Sequence, residues 1–124
     1  MSYYLHPNNR QIEAIKVSSW SWSTTVELIR RSGILLVDSE IFEDSSYLEV
    51  PEPKAPLIAD WIEQNILADV PTGSRVKLDG SLTSEPDDGT FHRDNLEENY
   101  SADTTWLVEF VNFLRKCEGF YSLG

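Results

Sequence analysis

The chain has 124 residues, of which 40% are hydrophobic, with four Trp, five Tyr and five Phe; 10 Lys+Arg against 21 Asp+Glu give a net charge of −11. That length is the commonest for one domain, and disordered chains lack this aromatic content because they cannot offset the entropy of ordering. The charge disfavours nucleic acid and anionic membrane, no apolar run approaches the ~20 residues of a bilayer span, and a lone Cys117 rules out an internal disulfide or a cysteine-built metal site.

Met1–Arg10 shows no basic start followed by an apolar run, so no secretory leader is read and a cytoplasmic protein is expected. Polar and apolar residues partly alternate over Gln11–Trp20, which predicts a strand over about 12–18. Thr24-Thr-Val-Glu27 fits a capping box, in which hydroxyl and carboxylate satisfy each other's orphan backbone donors. A helix over about 24–32 is therefore predicted, with Val26, Leu28 and Ile29 buried, Arg30 and Arg31 in the last turn and Gly33 at the left-handed stop. Trp20 and Trp22 fall on one face while that segment is extended, and both are read as core between strand and helix rather than as a stacking platform.

Ile34–Val37 and Ser46–Val50 read as strands. Pro51-Glu-Pro-Lys-Ala-Pro56 leads into a helix over about 55–68, where Leu57, Ile58, Trp61, Ile62, Ile66 and Leu67 repeat at helical spacing and Pro71 follows the end. Arg75–Leu78 and Ser81–Thr83 read as a hairpin on a two-residue Asp79-Gly80 turn. Residues 84–100 form a long polar loop. The final helix, about 103–118, starts at an Asp103 cap, carries Trp106, Leu107, Phe110, Val111, Leu114 and Cys117 as its stripe and stops at Gly119; Phe120–Leu123 adds an edge strand. Trp61 and Trp106 should both be largely buried. The sum is one α+β domain over 1–124, an antiparallel or mixed sheet of about four to five strands packed against about three helices.

Chemistry-bearing motifs are few. His92-Arg-Asp94 with Asn99 matches the spacing of a kinase catalytic loop, but no glycine-rich loop, strand lysine or Asp-Phe-Gly accompanies it. Asp87, Asp88, His92 and Asp94 offer oxygen and nitrogen donors to a divalent ion, yet lack the alternating ligands of a calcium loop. Cys117 lies on an apolar stripe where a thiol is core filling, His6 lies near a terminus read as mobile, and no Gly-x-Ser-x-Gly elbow exists. No catalytic residue, metal site or cofactor is assigned.

Charge distribution is more informative. Residues 38–52 hold six acids and no base, and residues 79–103 hold eight acids against Arg93 alone; together they carry −13, leaving +2 elsewhere. Mixed signs would serve solubility with less self-repulsion, so this segregation predicts a surface for a basic partner, with electrostatic steering of association. The predicted contact residues are Asp38, Glu40, Glu43 and Asp44 in the first stretch, and Asp87, Asp88, Asp94, Glu97 and Glu98 in the second. Phe91 and Tyr100 are their aromatic anchors.

Trp20-Ser-Trp22 ahead of a short helix, the acidic middle, and Trp106-Leu-Val-Glu-Phe-Val-Asn-Phe-Leu-Arg-Lys-Cys-Glu-Gly-Phe120 together resemble, in style across the chain, small bacterial immunity proteins that guard a cell against its own polymorphic or contact-dependent toxins. The resemblance implies a non-enzymatic protein that occludes the basic active site of a toxin or nucleic-acid-handling enzyme. Phage-encoded inhibitors of host defence share the same physics. The competing classes are a small metal-dependent enzyme using the 87–94 loop, separable by metal analysis, and an accessory subunit of a larger assembly, separable by an exposed apolar patch.

Overall fold

A computed structural model describes residues 2–34, 48–68, 73–77, 81–84, 93 and 100–123. Strands β1 (Ser2–Pro7), β2 (Ile15–Ser18), β3 (Glu49–Val50) and β7 (Phe120–Leu123) form one antiparallel sheet in the order β2-β1-β7-β3. Strands β4 (Arg75–Lys77), β5 (Leu82–Thr83) and β6 (Ser101–Asp103) form a second, in the order β5-β4-β6. With helices α1 (Ser19–Ser32), α2 (Ala55–Ile62) and α3 (Thr104–Lys116) among the described residues, the fold is α+β, as its mixture of periodicities predicts. The strands divide between two sheets rather than forming one of four or five.

The core lies where one face of the larger sheet meets the helices. Leu5, Val17, Val50 and Phe120 point inward from its four strands, and Phe120 meets Trp22 of α1 and Phe110 and Phe113 of α3 edge to face, with ring centroids 5.5–6.2 Å apart. Such tilted pairs set the negative face of one ring against the positive edge of the next. The other face is uncovered by any described helix: Tyr4, Tyr121 and Leu123 are exposed, and His6 stacks on Tyr121 at 5.0 Å. His6 thus belongs to a strand and not to a loose terminus.

Two expectations about strands need correction. Phe120–Leu123 is not an edge: β7 sits between β1 and β3. Strand periodicity reports which face is buried, not who the neighbours are, so position within a sheet is invisible to it. The hairpin exists, but pairs Arg75 with Thr83 and Val76 with Leu82. A two-residue turn at 79–80 would pair Val76 with Thr83, so the actual register needs a three-residue connection. The start of the predicted 12–18 strand is irregular chain, Ile34 of the predicted 34–37 strand is a bend behind α1, and the rest of that strand and the start of the one over 46–50 lie outside the described residues.

Helix α2 buries Ala55, Ile58, Ala59 and Ile62, the i, i+3, i+4, i+7 pattern of a single face. That phase turns Leu57 outward, 49% exposed, against its assignment to the stripe. Trp61 is half-buried at the margin of the core. The helix continues through Glu63–Leu67 in wider π-type turns, with Ala68 N donating to Glu63 O at 2.8 Å. Arg115 of α3 ties the two helices together on the outside, reaching Asp60 and Glu63 at 3.0 Å each.

The end of α3 is closed from the far end of the chain. Asn8 and Asn9 donate side-chain N–H groups to Glu118 O and Lys116 O at 3.1 and 3.0 Å, and backbone N–H groups to Gly119 O and Cys117 O at 2.9 Å. The carbonyls of the last helical residue, Lys116, and of its cap, Cys117, are thereby satisfied. Gly119, at φ +89°, is packed so tightly that a Cβ would come within 2.9 Å of Glu52 N and Val50 O. Only glycine suits both its backbone angle and its space.

Candidate functional site

Helix α1 begins five residues earlier than its capping-box pattern predicts. Ser18 is the cap, its hydroxyl accepting from Ser21 N at 3.2 Å. Thr24 lies inside the helix, fully buried, with its hydroxyl donating back to Trp20 O at 3.5 Å. Glu27 serves the other end, bridging Arg30 and Arg31, with Arg31 Nε at 2.9 Å. Burial alone would push its carboxyl up, but the bonds from both guanidinium groups outweigh that and hold it below the ordinary glutamate range. Gly33 at φ +71° ends the helix as predicted.

Starting the helix at Ser19 changes what the two tryptophans do. Residues two apart on a helix point to nearly opposite sides, so Trp22 is fully buried while Trp20 is 42% exposed. The placement of both in the core is wrong for Trp20. Its ring instead meets the edge of Tyr100 at 5.1 Å, and Tyr100 is half-buried at the end of the second acidic stretch.

Beneath Trp20 opens a cleft of about 360 Å³, lined by Ser18, Trp20, Ser21, Gly73, Arg75, Ser101 and Asp103. Three elements build it: the first turn of α1, strand β4, and the junction where β6 becomes α3. Asp103 caps α3, its Oδ1 accepting from Trp106 N at 2.7 Å, as predicted. One turn of chain is pinned against that junction, with Thr104 N donating to Ser74 O at 3.1 Å and Gly73 N donating to the Thr104 hydroxyl at 3.2 Å. The two helix starts are held together by a relay. The indole Nε1 of Trp106 donates to the Thr25 hydroxyl at 2.8 Å, which donates to Ser21 O at 2.7 Å. Arg75 and Asp103 are register partners across β4 and β6, and Arg75 is engaged within the chain.

Of the predicted contact residues, Tyr100 alone is among the described residues; it meets Trp20 but does not itself line the cleft. Asp38, Glu40, Glu43, Asp44, Asp87, Asp88, Phe91, Asp94, Glu97 and Glu98 lie outside the described residues, as does His92. Among the described residues, no three of His, Cys, Asp and Glu gather closely enough to hold a metal ion. Cys117 is buried, with burial raising its thiol. A further shallow groove of about 190 Å³ lies between the β1–β2 connection and α3, lined by Ile12, Ile15, Phe113 and neighbouring polar residues. No helix among the described residues is long and apolar enough to cross a membrane.

Trp20, Ser18, Ser21, Arg75 and Ser101 were not legible as a site. A signal existed for Trp20: Trp22, Val26 and Ile29 fall at i, i+4 and i+7, and continuing that phase backward puts Trp20 off the buried face. Compared with known proteins, the chain matches no family model, no curated protein and no solved structure.

Proposed function

We propose that this chain is a non-enzymatic binding protein whose acidic surface occludes the basic active site of a protein partner, a toxin or another nucleic-acid-handling enzyme, with carboxylates standing in for phosphates. The observation that carries this reading is the segregation of charge, −13 over residues 38–52 and 79–103 against +2 elsewhere. A field so uneven favours fast encounter with a cationic surface. The Trp20–Tyr100 pair supports it, because Tyr100 lies near the end of the second acidic stretch, and large half-exposed aromatics such as Trp20 are the residues that anchor interfaces.

The test is capture of a partner from the native cell, followed by association kinetics across a salt series. Association should slow markedly as salt rises, since attraction between exposed charges is screened over about 8 Å at physiological ionic strength. Lysine replacement of Asp87, Asp88 and Asp94 together, or of Glu40, Glu43 and Asp44 together, should weaken the complex and flatten its salt dependence. If both triple variants bind like the parent at every salt concentration, the acidity serves solvation only and the reading fails.

A further inference from the structure

We propose that the cleft beneath Trp20 receives one arginine side chain of that basic partner; this deepens the reading of the chain as an acidic binding protein and rests on it. The inference comes from which polar groups around the cleft still have capacity to bind. Asp103 spends Oδ1 on the Trp106 backbone N–H, and its Oδ2 makes no hydrogen bond among the described residues. The Ser21 and Ser101 hydroxyls line the same space and likewise make none. Arg75, the one cation among the described residues lining the cleft, is already engaged within the chain. What the cleft offers a visitor is therefore a carboxylate oxygen and two hydroxyl acceptors, beside the indole of Trp20, which is itself engaged within the chain yet 42% exposed.

That set suits a guanidinium group. It presents five donors in a planar fork matched to carboxylate and hydroxyl oxygens, stacks on aromatic faces, and is more weakly hydrated than an ammonium. Indole attracts cations more strongly than the other aromatic rings. An anion would meet the open Asp103 oxygen inside a chain of net charge −11. The cleft is also continuous in sequence with the acidic stretch, since Tyr100, Ser101 and Asp103 are its last residues.

The experiment is a ¹H–¹⁵N NMR titration of the whole chain with acetyl-Gly-Arg-Gly-amide, and with the same peptide carrying citrulline, a near-isostere without the charge. The Trp20 indole N–H and the Ser101 and Asp103 amides should shift saturably with the arginine peptide, and at least roughly fivefold more weakly with citrulline. Asp103→Asn keeps the helix cap, because asparagine caps as well as aspartate, and should weaken binding roughly three- to tenfold. Trp20→Ala removes a side chain outside the core and should weaken it roughly two- to fivefold. An unchanged spread of amide resonances in each variant shows that the fold persists. The assignment is overturned if citrulline binds as well as arginine, if no cleft resonance moves, or if both variants bind like the parent. The two readings fail separately. Salt-dependent capture of a partner without arginine binding in the cleft removes this inference alone, whereas arginine binding with silent triple reversals removes the acidic-surface reading.

Discussion

The starts of α1 and α3 face each other across one cleft and solve the same problem in different ways. Each leaves backbone N–H groups without helical partners, and each satisfies one with a side-chain oxygen, Ser18 for α1 and Asp103 for α3. Asp103 stands alone before a clean apolar stripe and is legible. Ser18 heads Ser-Ser-Trp-Ser-Trp-Ser-Thr-Thr, in which six hydroxyls compete for the role. The difference teaches that a cap is readable only where its rivals are few. A five-residue error at α1 then moved Trp20 from surface to core, because helix phase decides which side a residue takes.

The tryptophans sharpen the contrast. Trp106, at the α3 start, has its N–H satisfied by Thr25; Trp22, on α1, is fully buried and its Nε1 has no acceptor among the described residues. Buried polar groups left unpaired cost about 1–3 kcal/mol, so the α1 side carries a burden the α3 side does not.

The largest effect should come from the ring beneath both starts. Phe110→Ala removes a fully buried side chain that touches Trp22, Trp106 and Phe120. It should cost roughly 3–5 kcal/mol in a urea unfolding curve, a large share of the ~5–15 kcal/mol that holds a typical domain. A cost below about 1 kcal/mol would mean that the two starts do not share a core.

Next in size is a paired exchange. Trp106→Phe gives up the bond to Thr25, whereas Trp22→Phe removes an unsatisfied donor along with some buried area. Trp106→Phe should therefore be the more costly by about 1–2 kcal/mol, although Trp22 is the more deeply buried of the two. The reverse order in denaturant midpoints would show that Trp22 Nε1 has an acceptor in solution.

Removing the caps should have smaller effects. Asp103→Ala should cost about 1–2 kcal/mol and Ser18→Ala about 0.5–1 kcal/mol, the carboxylate gaining additionally from the helix dipole. Equal costs would erase the distinction between the two starts.

The smallest effect lies at the far end of α1. Glu27 is nearly buried, and its carboxyl is held low by Arg30 and Arg31, whose own side chains are 45% and 43% exposed. A folded pKa below the unfolded one stabilises above the unfolded value of about 4.3 and loses that contribution as pH falls through the folded value. Glu27→Gln should therefore lower stability at pH 7 by no more than about 1 kcal/mol, and the gap should close as pH drops below about 4. A gap that persists at pH 3 would assign the role of Glu27 to packing.

What the residues determine by themselves is local. Helical spacing places Phe110, Leu114 and Cys117 on one face, Asp103 caps α3 and Gly33 stops α1, because each depends on neighbours a few positions away; at the end of α3 it is Glu118, at φ +56°, that takes the left-handed position ahead of Gly119. The acidic segregation is likewise a property of sequence alone. Tertiary structure decided the rest. It put β7 inside its sheet, set the hairpin on a connection one residue longer, closed α3 with Asn8 and Asn9, and gathered Trp20, Arg75 and Asp103 around one cleft. Those residues lie up to 83 positions apart in a chain of 124. Periodicity says which face a segment buries; it carries no information about which distant segment arrives to cover it, and that choice is made only when the whole core packs.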